Sequence, residues 1–529
     1  MDSQSLNDKS WNAKSLLLSI LSLLSVFFII LTLQVSWNSS QEQTKLDLLQ
    51  TDLILQATQS VDQEQDHFAG DFLQSLISDG DPQDIYIQSL RSYQEVLQAN
   101  KAALERLSQD MSGADSQSIP KQLQKKQDAV SEISMRAGLL QIQTGDIQGA
   151  IATWSNVKQV EGESMTSYGL TSQILQGLWS DPTILFPNAE TQIRNTLDGW
   201  YRQVALTKLY QAQQRNTELS NLSQQAQIAV DKAIKRLVIV NSIPLIGGSI
   251  GVVLWLGLIV QWIFFRKSSP FYTKLDSQSE SETSQTSNQI NWQVPWGMET
   301  IWEVMVLWFS AFCLITQLVL PLIFELLGIE SRVSEDFTLQ ALLVLIPYTV
   351  SVIPMLPILR FSLASYRPLP EGWFRFKLTS PHWLTWGIGG YFAAVPLVLI
   401  VSVISQKFLQ GQGGGNPLLP ILTESQNILP KFLLWSTLAI AAPFFEEYLF
   451  RGFLLPSLTR FLPVWGAIAA SGFLFALAHL NIADIFPLSV LGIVMGFVYW
   501  RSKNLLSSML LHCLWNSGSF LALIALGGK

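Results

Sequence analysis

Charged residues and cysteines are scarce in this sequence. Only 14% of its 529 residues are Asp, Glu, Lys or Arg, whereas a soluble domain averages about 25%. This shortage excludes an ordinary soluble protein, because much of the chain must lie in a medium that rejects charge. The two cysteines, Cys313 and Cys513, fall in apolar stretches, which excludes a disulfide framework and a CxxC metal site.

Long basic tracts are also missing, and the chain has only four histidines. Without a basic tract, nucleic acid is not an expected partner. The formal net charge of −7 says little about function, because acidic and basic residues fall mostly between hydrophobic runs.

Hydrophobic residues, by contrast, make up 48% of the chain and gather in long runs. Runs of about 17–25 apolar residues are long enough to cross a bilayer. Nine such runs lie near 15–36, 237–264, 301–327, 339–359, 383–405, 432–455, 463–480, 485–500 and 504–526. We therefore predict an all-α polytopic membrane helix bundle of about nine spans, with an inserted extracytoplasmic helical domain. The eighth run is short enough to be partly re-entrant.

The first run follows Lys9 and Lys14, and no small-residue cleavage site comes after it. This pattern predicts an uncleaved signal anchor with a cytoplasmic N-terminus. Threading the other spans from there puts more Lys and Arg on cytoplasmic loops, as the positive-inside rule requires, and places the C-terminus outside. The Gln-rich composition favours a bacterial plasma membrane, with a thylakoid membrane as the alternative, and membrane lipids as constant partners.

A polar segment over 37–236 separates the first two spans. Within it, residues 135–154 fit two amphipathic helices joined by a Thr-Gly-Asp turn, which is similar to one tetratricopeptide-type hairpin. Repeat folds need about three such units, so an ordinary helical bundle is the alternative. We see no catalytic cluster in this domain and expect His67 to be a solvated surface residue. The segment is a candidate site for a protein partner.

A second polar segment, rich in Ser, Gln and Glu, is typical of a flexible cytoplasmic linker. The predicted organisation is 1–36 N-terminus and anchor, 37–236 helical domain, 237–267 second span, 268–297 linker and 298–529 C-terminal membrane domain. Several prolines interrupt apolar runs of that last domain, and we expect kinked helices around an internal cavity. They are Pro347, Pro354, Pro357, Pro396 and Pro443.

Ionisable residues inside the C-terminal spans are the strongest functional signal. An ionisable group at the bilayer centre costs roughly 2.5–3.5 kcal/mol on insertion scales. Glu446 and Glu447 are adjacent in the sixth run, and Arg451 follows four residues after Glu447. This spacing puts Glu447 and Arg451 on one helix face, where they can pair. Glu446 points elsewhere and needs another partner.

Two further spans carry polar residues at helical spacing. In the seventh run His479 follows Phe475 by four residues, and in the ninth run Asn516 follows His512 by four. Each feature alone also has a structural explanation, such as an ionic clasp, a histidine bonded to a carbonyl or an amide between helices. Their coincidence on three late helices favours a shared active site.

The segments EEYLFRG, FALAH and HCLWN, in that order, resemble the three motifs of the CAAX-protease and bacteriocin-processing family, also called the Abi family. This family of intramembrane proteases includes the type II CAAX prenyl endopeptidases and the lysostaphin-resistance proteins. Its pattern of Glu-Glu-x-x-x-Arg, Phe-x-x-x-His and His-x-x-x-Asn is filled at every position. The resemblance covers roughly 430–520 and, by helix count, 300–526, but not the first 290 residues.

The resemblance implies an intramembrane endopeptidase that cleaves a membrane-associated or lipidated protein or peptide. Its implied catalytic residues are Glu446, Glu447, Arg451, His479, His512 and Asn516. Amide hydrolysis needs a base for the attacking water and donors for the developing oxyanion. We expect Glu446 as the base and His479 to orient the water. His512 and Asn516 would face the oxyanion, while the other glutamate and the arginine hold the helix.

Three alternatives remain open from the sequence. Glu446, His479 and His512 also form a valid zinc set, and the family has long been labelled metalloprotease. HExxH is absent, however, so we favour no cofactor. A non-catalytic scaffold that recruits partners through 37–236 is a second reading. A proton-relay transporter is the third, but the repeated halves typical of transporters are not visible.

Overall fold

The computed structural model describes most of the chain. The described ranges are 13–38, 43–59, 82–109, 118–157, 160–161, 164–265, 292–328, 336–379, 381–409 and 418–527. His67 and residues 268–291 of the predicted linker lie outside them. The chain divides into two compact units: Gln43–Ile239, and a second unit made of Met1–Glu42 and Val240–Lys529.

The unit Gln43–Ile239 is helical, and a minimal antiparallel ribbon connects two of its helices. Its helices are α2 (Gln43–Thr58), α3 (Pro82–Gln109), α4 (Ser118–Gln143), α5 (Ile147–Ser155), α6 (Ser167–Leu178), α7 (Ala189–Thr196), α8 (Gly199–Ala212) and the first part of α9 (Asn216–Phe264). The ribbon pairs β1 (Val160–Glu161) with β2 (Ser164–Met165).

The predicted hairpin over 135–154 is confirmed as α4 and α5. Trp154 is fully buried and its Nε1 donates to the carbonyl of Met135 at 3.1 Å. A Cβ at Gly138 would lie 2.2 Å from that indole, so only glycine lets the two helices approach this closely. Asp146 begins α5 by accepting a hydrogen bond from the backbone of Gly149 at 2.8 Å.

The same turn recurs 69 residues later, between α8 and α9. Asp146 N donates to Gln141 O at 2.9 Å, and Arg215 N donates to Tyr210 O at the same distance. Every other backbone hydrogen bond of the first turn has its counterpart at this offset. The unit therefore uses one hairpin design at least twice, although a full repeat fold stays a prediction.

The second unit holds the membrane helices. Within the described residues, eight helical segments are long and apolar enough to cross a bilayer. They are Lys14–Trp37, Asn216–Phe264, Met298–Leu326, Phe337–Ser362, His382–Leu409, Ile428–Leu458, Ile482–Ser502 and Leu505–Gly527. The prediction of an all-α polytopic bundle is confirmed, and the chain is an integral membrane protein.

The lengths expected for the seventh and eighth spans were wrong. The helix in the seventh run, α19 (Val464–Leu477), has only 14 residues, or about 21 Å, against about 30 Å of hydrocarbon. It starts after Pro463 and ends before Leu480, whose φ is 55°. The eighth run, by contrast, forms the 21-residue helix α20 (Ile482–Ser502), which is long enough to span.

The N-terminal helix α1 (Ala13–Asn38) packs on this unit through polar contacts. The indole of Trp302, on α10 (Met298–Leu314), donates to Ser22 Oγ at 2.8 Å. At its other end, Ser36 Oγ accepts a hydrogen bond from the backbone N–H of Ile482 at 3.2 Å. The first helix is therefore part of the same packed unit as the motif-bearing helices.

The remaining helices of this unit follow from α10. They are α11 (Leu320–Leu326), α12 (Phe337–Val352), α13 (Met355–Ser362), α14 (His382–Leu409), α15 (Leu419–Glu424), α16 (Ile428–Ser436), α17 (Ala442–Glu447), α18 (Leu455–Leu458), then α19, α20 and α21 (Leu505–Gly527).

Three wider π-helical segments interrupt these helices, and each ends two residues before a proline. The pairs are Ile315–Val319 with Pro321, Thr437–Ala441 with Pro443, and Tyr448–Leu454 with Pro456. Proline has no N–H, and its ring clashes with the carbonyl four residues earlier. Widening the helix by one residue per turn relieves that clash, and such segments are frequent at functional sites.

Candidate active site

The two glutamates of the first motif end α17, directly between two π-helical segments. Glu447 and Arg451 form the predicted ion pair, with Glu447 Oε1 2.7 Å from Arg451 Nη1 and both side chains fully buried. The second guanidinium nitrogen donates to the carbonyl of Gly492 at 3.0 Å. The guanidinium also lies over the ring of Phe475, 4.5 Å from its centroid. These contacts compensate a charge that is removed from water.

A close approach of α19 and α20 positions the carbonyl that Arg451 uses. A Cβ on Gly492 would lie 2.7 Å from Cα of Gly472 and 3.2 Å from Arg451 Nη2. A Cβ on Gly472 would lie 2.8 Å from the backbone nitrogen of Ile493. Only glycine fits at both crossing points, so the helix spacing and the arginine site depend on each other.

His512 bridges the two glutamates. Its Nδ1 lies 3.1 Å from Glu447 Oε1, and its Nε2 lies 3.9 Å from Glu446 Oε2. An ionised carboxylate only accepts hydrogen bonds, so Nδ1 carries the proton that bonds Glu447. In the neutral ring, Nε2 is then an acceptor directed toward Glu446.

Among the described residues, the carboxylate of Glu446 has a hydrogen-bond partner at one of its two oxygens. The hydroxyl of Tyr348 donates to its Oε1 at 3.2 Å. Its Oε2 is buried and has no hydrogen-bond partner among the residues that the structure describes. Sequence reasoning missed Tyr348, which lies on α12 beside Pro347, outside all three motifs. The only available signal was a tyrosine inside an apolar run, where its hydroxyl needs a partner.

His479 follows the end of α19 and does not contact the carboxylates. Its Nδ1 lies 2.9 Å from the carbonyl of Phe475, and its ring meets the Phe475 ring edge-on at 4.9 Å. In the described part of the chain, no ion pair joins His479 to Glu446 or Glu447. Because a carbonyl only accepts, Nδ1 carries a proton and Nε2 of the neutral ring is left to accept.

Asn516 satisfies a carbonyl that the π-helical register leaves open. The N–H of Ala442 bonds to Thr437 O, five residues back. In this register the donor for Leu438 O would be residue 443, which is a proline without an N–H. The side-chain Nδ2 of Asn516 donates to Leu438 O at 2.7 Å instead. One of the two amide hydrogens is therefore used for structure, and the other is available.

The candidate zinc set does not fit this arrangement. Within the described ranges, no group of three or more His, Cys, Asp or Glu side chains is placed to hold a metal ion. Glu446 and His512 lie close together, but no ion pair within the described ranges joins His479 to Glu446. We derive no step through a metal.

The kinked helices of this unit are expected to surround an internal cavity. An apolar pocket of about 340 Å³ in this unit is formed by residues of α9, α14, α19 and α20, including Trp255, Trp386, Trp465 and Phe497. None of the motif side chains lines it. That pocket therefore plays no part in the chemistry considered below.

Comparison with known proteins gives one family match. The model described as "Type II CAAX prenyl endopeptidase Rce1-like" matches residues 428–518. The matched segment contains every motif residue, from Glu446 to Asn516. No curated protein and no solved structure matches the chain.

Proposed function

Residues 428–518 of this chain belong to the Rce1-like group of the CAAX-protease and bacteriocin-processing family, and on that premise we propose that the protein hydrolyses a peptide bond in a membrane-associated or lipidated protein or peptide. This family comprises CAAX-type intramembrane proteases. The substrate class and the roles of single residues are our proposal. We propose that the reaction takes place at Glu446 and His512.

The observation that carries the proposal is the pair of acceptors between α17 and α21. Glu446 Oε2 and His512 Nε2 face each other at 3.9 Å, and Glu446 is only 18% exposed. A water molecule beside this pair can donate one hydrogen to each acceptor. A lone pair of its oxygen is then directed away from both acceptors and is free to attack a carbonyl carbon. This geometry supports general-base activation of water.

The hydrolysis then proceeds in two steps. As the water oxygen bonds to the carbonyl carbon, Glu446 takes its proton and the carbonyl oxygen becomes an oxyanion. When the C–N bond breaks, the carboxylic acid returns that proton to the departing amine, so Glu446 ends ionised. His512 accepts the second hydrogen bond of the water and holds its orientation.

The other motif residues support these steps. Glu447 fixes the ring of His512 and Arg451 compensates the charge of Glu447. The second amide hydrogen of Asn516 is our candidate donor to the oxyanion. His479, with Nε2 free to accept, is proposed to bond the substrate or the water. We therefore propose that His512 assists the base, whereas the sequence analysis expected it to face the oxyanion.

Terminal proteomics tests the proposal. Membranes from cells that express the wild-type protein or Glu446→Gln are compared for protein termini. Glu424→Gln, which alters an exposed carboxylate of the same unit, serves as the control. We expect a set of termini that wild type and Glu424→Gln produce and Glu446→Gln does not. Identical termini in all three would refute peptide-bond hydrolysis at this site.

The proposed chemistry uses no metal ion. A chelator is therefore expected to leave cleavage by the purified protein unchanged. Loss of cleavage that zinc restores would instead favour the metal-dependent alternative, with Glu446, His479 and His512 as its ligands.

A second candidate function is a scaffold that recruits a protein partner through residues 37–236. The hairpin turn that recurs in Gln43–Ile239 favours it, because stacked helix hairpins form extended binding surfaces. If the scaffold is the whole function, Glu446→Gln leaves the cellular phenotype intact and deletion of 37–236 abolishes it. Loss of the phenotype in Glu446→Gln, with the phenotype retained after deletion of 37–236, supports the protease.

A further inference from the structure

Tyr348 makes the hydrogen bond that orients Glu446. Its hydroxyl donates to Oε1 at 3.2 Å, and no other side chain in the described ranges hydrogen-bonds this carboxylate. The opposite oxygen, Oε2, is the one that faces His512 Nε2 at 3.9 Å. One oxygen is thus fixed by a protein donor and the other is presented to the proposed water.

A carboxylate without such a bond does not keep this orientation. The terminal torsion of a glutamate is broad, so the plane of the carboxylate turns easily and neither oxygen then stays directed at His512. Hydrogen bonds to charged groups are worth about 1.5–3 kcal/mol, which is enough to select one orientation.

We infer that Tyr348 is a positioning residue for the hydrolysis, whose hydroxyl holds Glu446 Oε1 so that Oε2 faces His512. This inference rests on the proposed function, because it assigns Tyr348 to the base of that reaction. It adds a fourth helix, α12, to a site that the motifs place on three stretches of chain. It also gives a reason for a tyrosine rather than a phenylalanine at this position.

A purely structural reading also exists and makes a different prediction. A buried tyrosine hydroxyl needs a partner, and Glu446 could serve only to satisfy it. In that case, removing the hydroxyl changes stability but leaves the alignment of the base, and hence the turnover of bound substrate, unchanged.

The test uses Tyr348→Phe in the full-length protein, reconstituted in lipid nanodiscs. The probe is a fluorogenic peptide that spans a cleavage site identified by the terminal proteomics. We expect kcat to fall roughly 10- to 100-fold, with KM within about twofold of wild type. Thr349→Val is the matched control, since it removes a neighbouring hydroxyl that, among the described residues, bonds Leu345 O on the same helix.

A double substitution separates alignment from general damage. Because Tyr348 acts through Glu446, adding Tyr348→Phe to Glu446→Gln should cause no further loss of the residual rate. An additional 10-fold loss would show that the hydroxyl acts elsewhere and would overturn the inference.

The remaining outcomes keep the inference and the proposed function distinguishable. If Glu446→Gln is inactive while Tyr348→Phe matches Thr349→Val, the positioning role is refuted and the protease stands. If Glu446→Gln cleaves normally, both are refuted. A rise in KM with unchanged kcat in Tyr348→Phe also contradicts positioning of the base.

Discussion

His512 Nδ1 lies 3.1 Å from Glu447 Oε1, and both side chains are buried in the membrane unit. The carboxylate fixes which imidazole nitrogen carries hydrogen and which one faces the remaining glutamate. In the proposed mechanism Glu447 therefore acts through the ring of His512 and does not meet the water itself. The two adjacent glutamates have different partners in the structure, and we propose different tasks for them.

Glu447→Gln should cost both stability and activity, whereas Glu446→Gln should cost activity alone. Without the carboxylate charge, Arg451 is buried and uncompensated, and breaking such a pair costs roughly 3–5 kcal/mol. Thermal unfolding of the two purified variants, followed by tryptophan fluorescence in one detergent, checks this. Equal midpoints for the two variants would contradict the assignment of Arg451 to Glu447.

Asn516→Ala should destabilise the protein by roughly 1–3 kcal/mol, because it leaves the part-buried carbonyl of Leu438 without a donor. Adding Pro443→Ala should recover part of that loss, since the new N–H at residue 443 can bond the same carbonyl. Unfolding midpoints of the two single variants and the double variant measure the coupling. Strict additivity would show that the proline does not create the need for the amide.

Gly492→Ala should separate α19 from α20 and displace the carbonyl that Arg451 uses. Overpacking of this kind costs roughly 1–3 kcal/mol, and we expect loss of cleavage as well. Gly389→Ala is the control, because a Cβ there meets no atom within 4 Å. Thermal unfolding and peptide cleavage are measured on both variants, and equal behaviour would contradict the close-packing argument.

In the unit Gln43–Ile239, the ion pairs of Glu190 should lose their contribution to stability progressively as the pH falls from about 4.5 toward 2. The hydroxyl of Tyr210, with the guanidinium groups of Arg215 and Arg194, lowers the pKa of Glu190 from 4.5 to about 2. A carboxylate with a lowered pKa stabilises the fold fully above its ordinary pKa, and this contribution is lost as the pH falls toward 2. Tyr210→Phe removes the largest cause, so the stabilisation by Glu190 should be smaller and its loss should be complete at a higher pH.

Pepsin cleavage within 189–218 of the intact protein measures that acid sensitivity. Wild type and Asp84→Asn, which alters an exposed carboxylate on α3, should become sensitive at the same pH. Sensitivity of Tyr210→Phe at an equally low pH would show that the cluster around Glu190 does not carry acid resistance.

The contacts that could be predicted from sequence are those set within one helix. Glu447 and Arg451 pair because four residues bring side chains to one face, whatever packs around them. The contact of His512 with Glu447 depends on how α17 and α21 meet, so spacing alone could not give it. Tyr348 was missed for the same reason, since it reaches the site from a helix without a motif.

Helix register and length were the other points where sequence reasoning fell short. Hydropathy counted a seventh span over 463–480, but Pro463 and the turn at Leu480 shorten its helix. The π-helical segments did have a sequence signal, because a proline follows each of them at the same distance. That signal is not sufficient, since Pro347 and Pro396 lie inside α-helices without a wider segment before them. It also does not reveal that Asn516 supplies the missing donor.

The packing of α1 sets an order of events for biosynthesis. Lys14 pairs with Glu303 at 2.7 Å, and Ser36 bonds a backbone group 446 positions later. At about 5–20 residues per second, the ribosome needs roughly 20–90 seconds to make that second partner. The first helix must therefore form its contact at Ser36 last, after Ile482 has been made and translation is nearly finished. A chain truncated before α20 keeps its anchor but cannot complete the assembly that surrounds the glutamates.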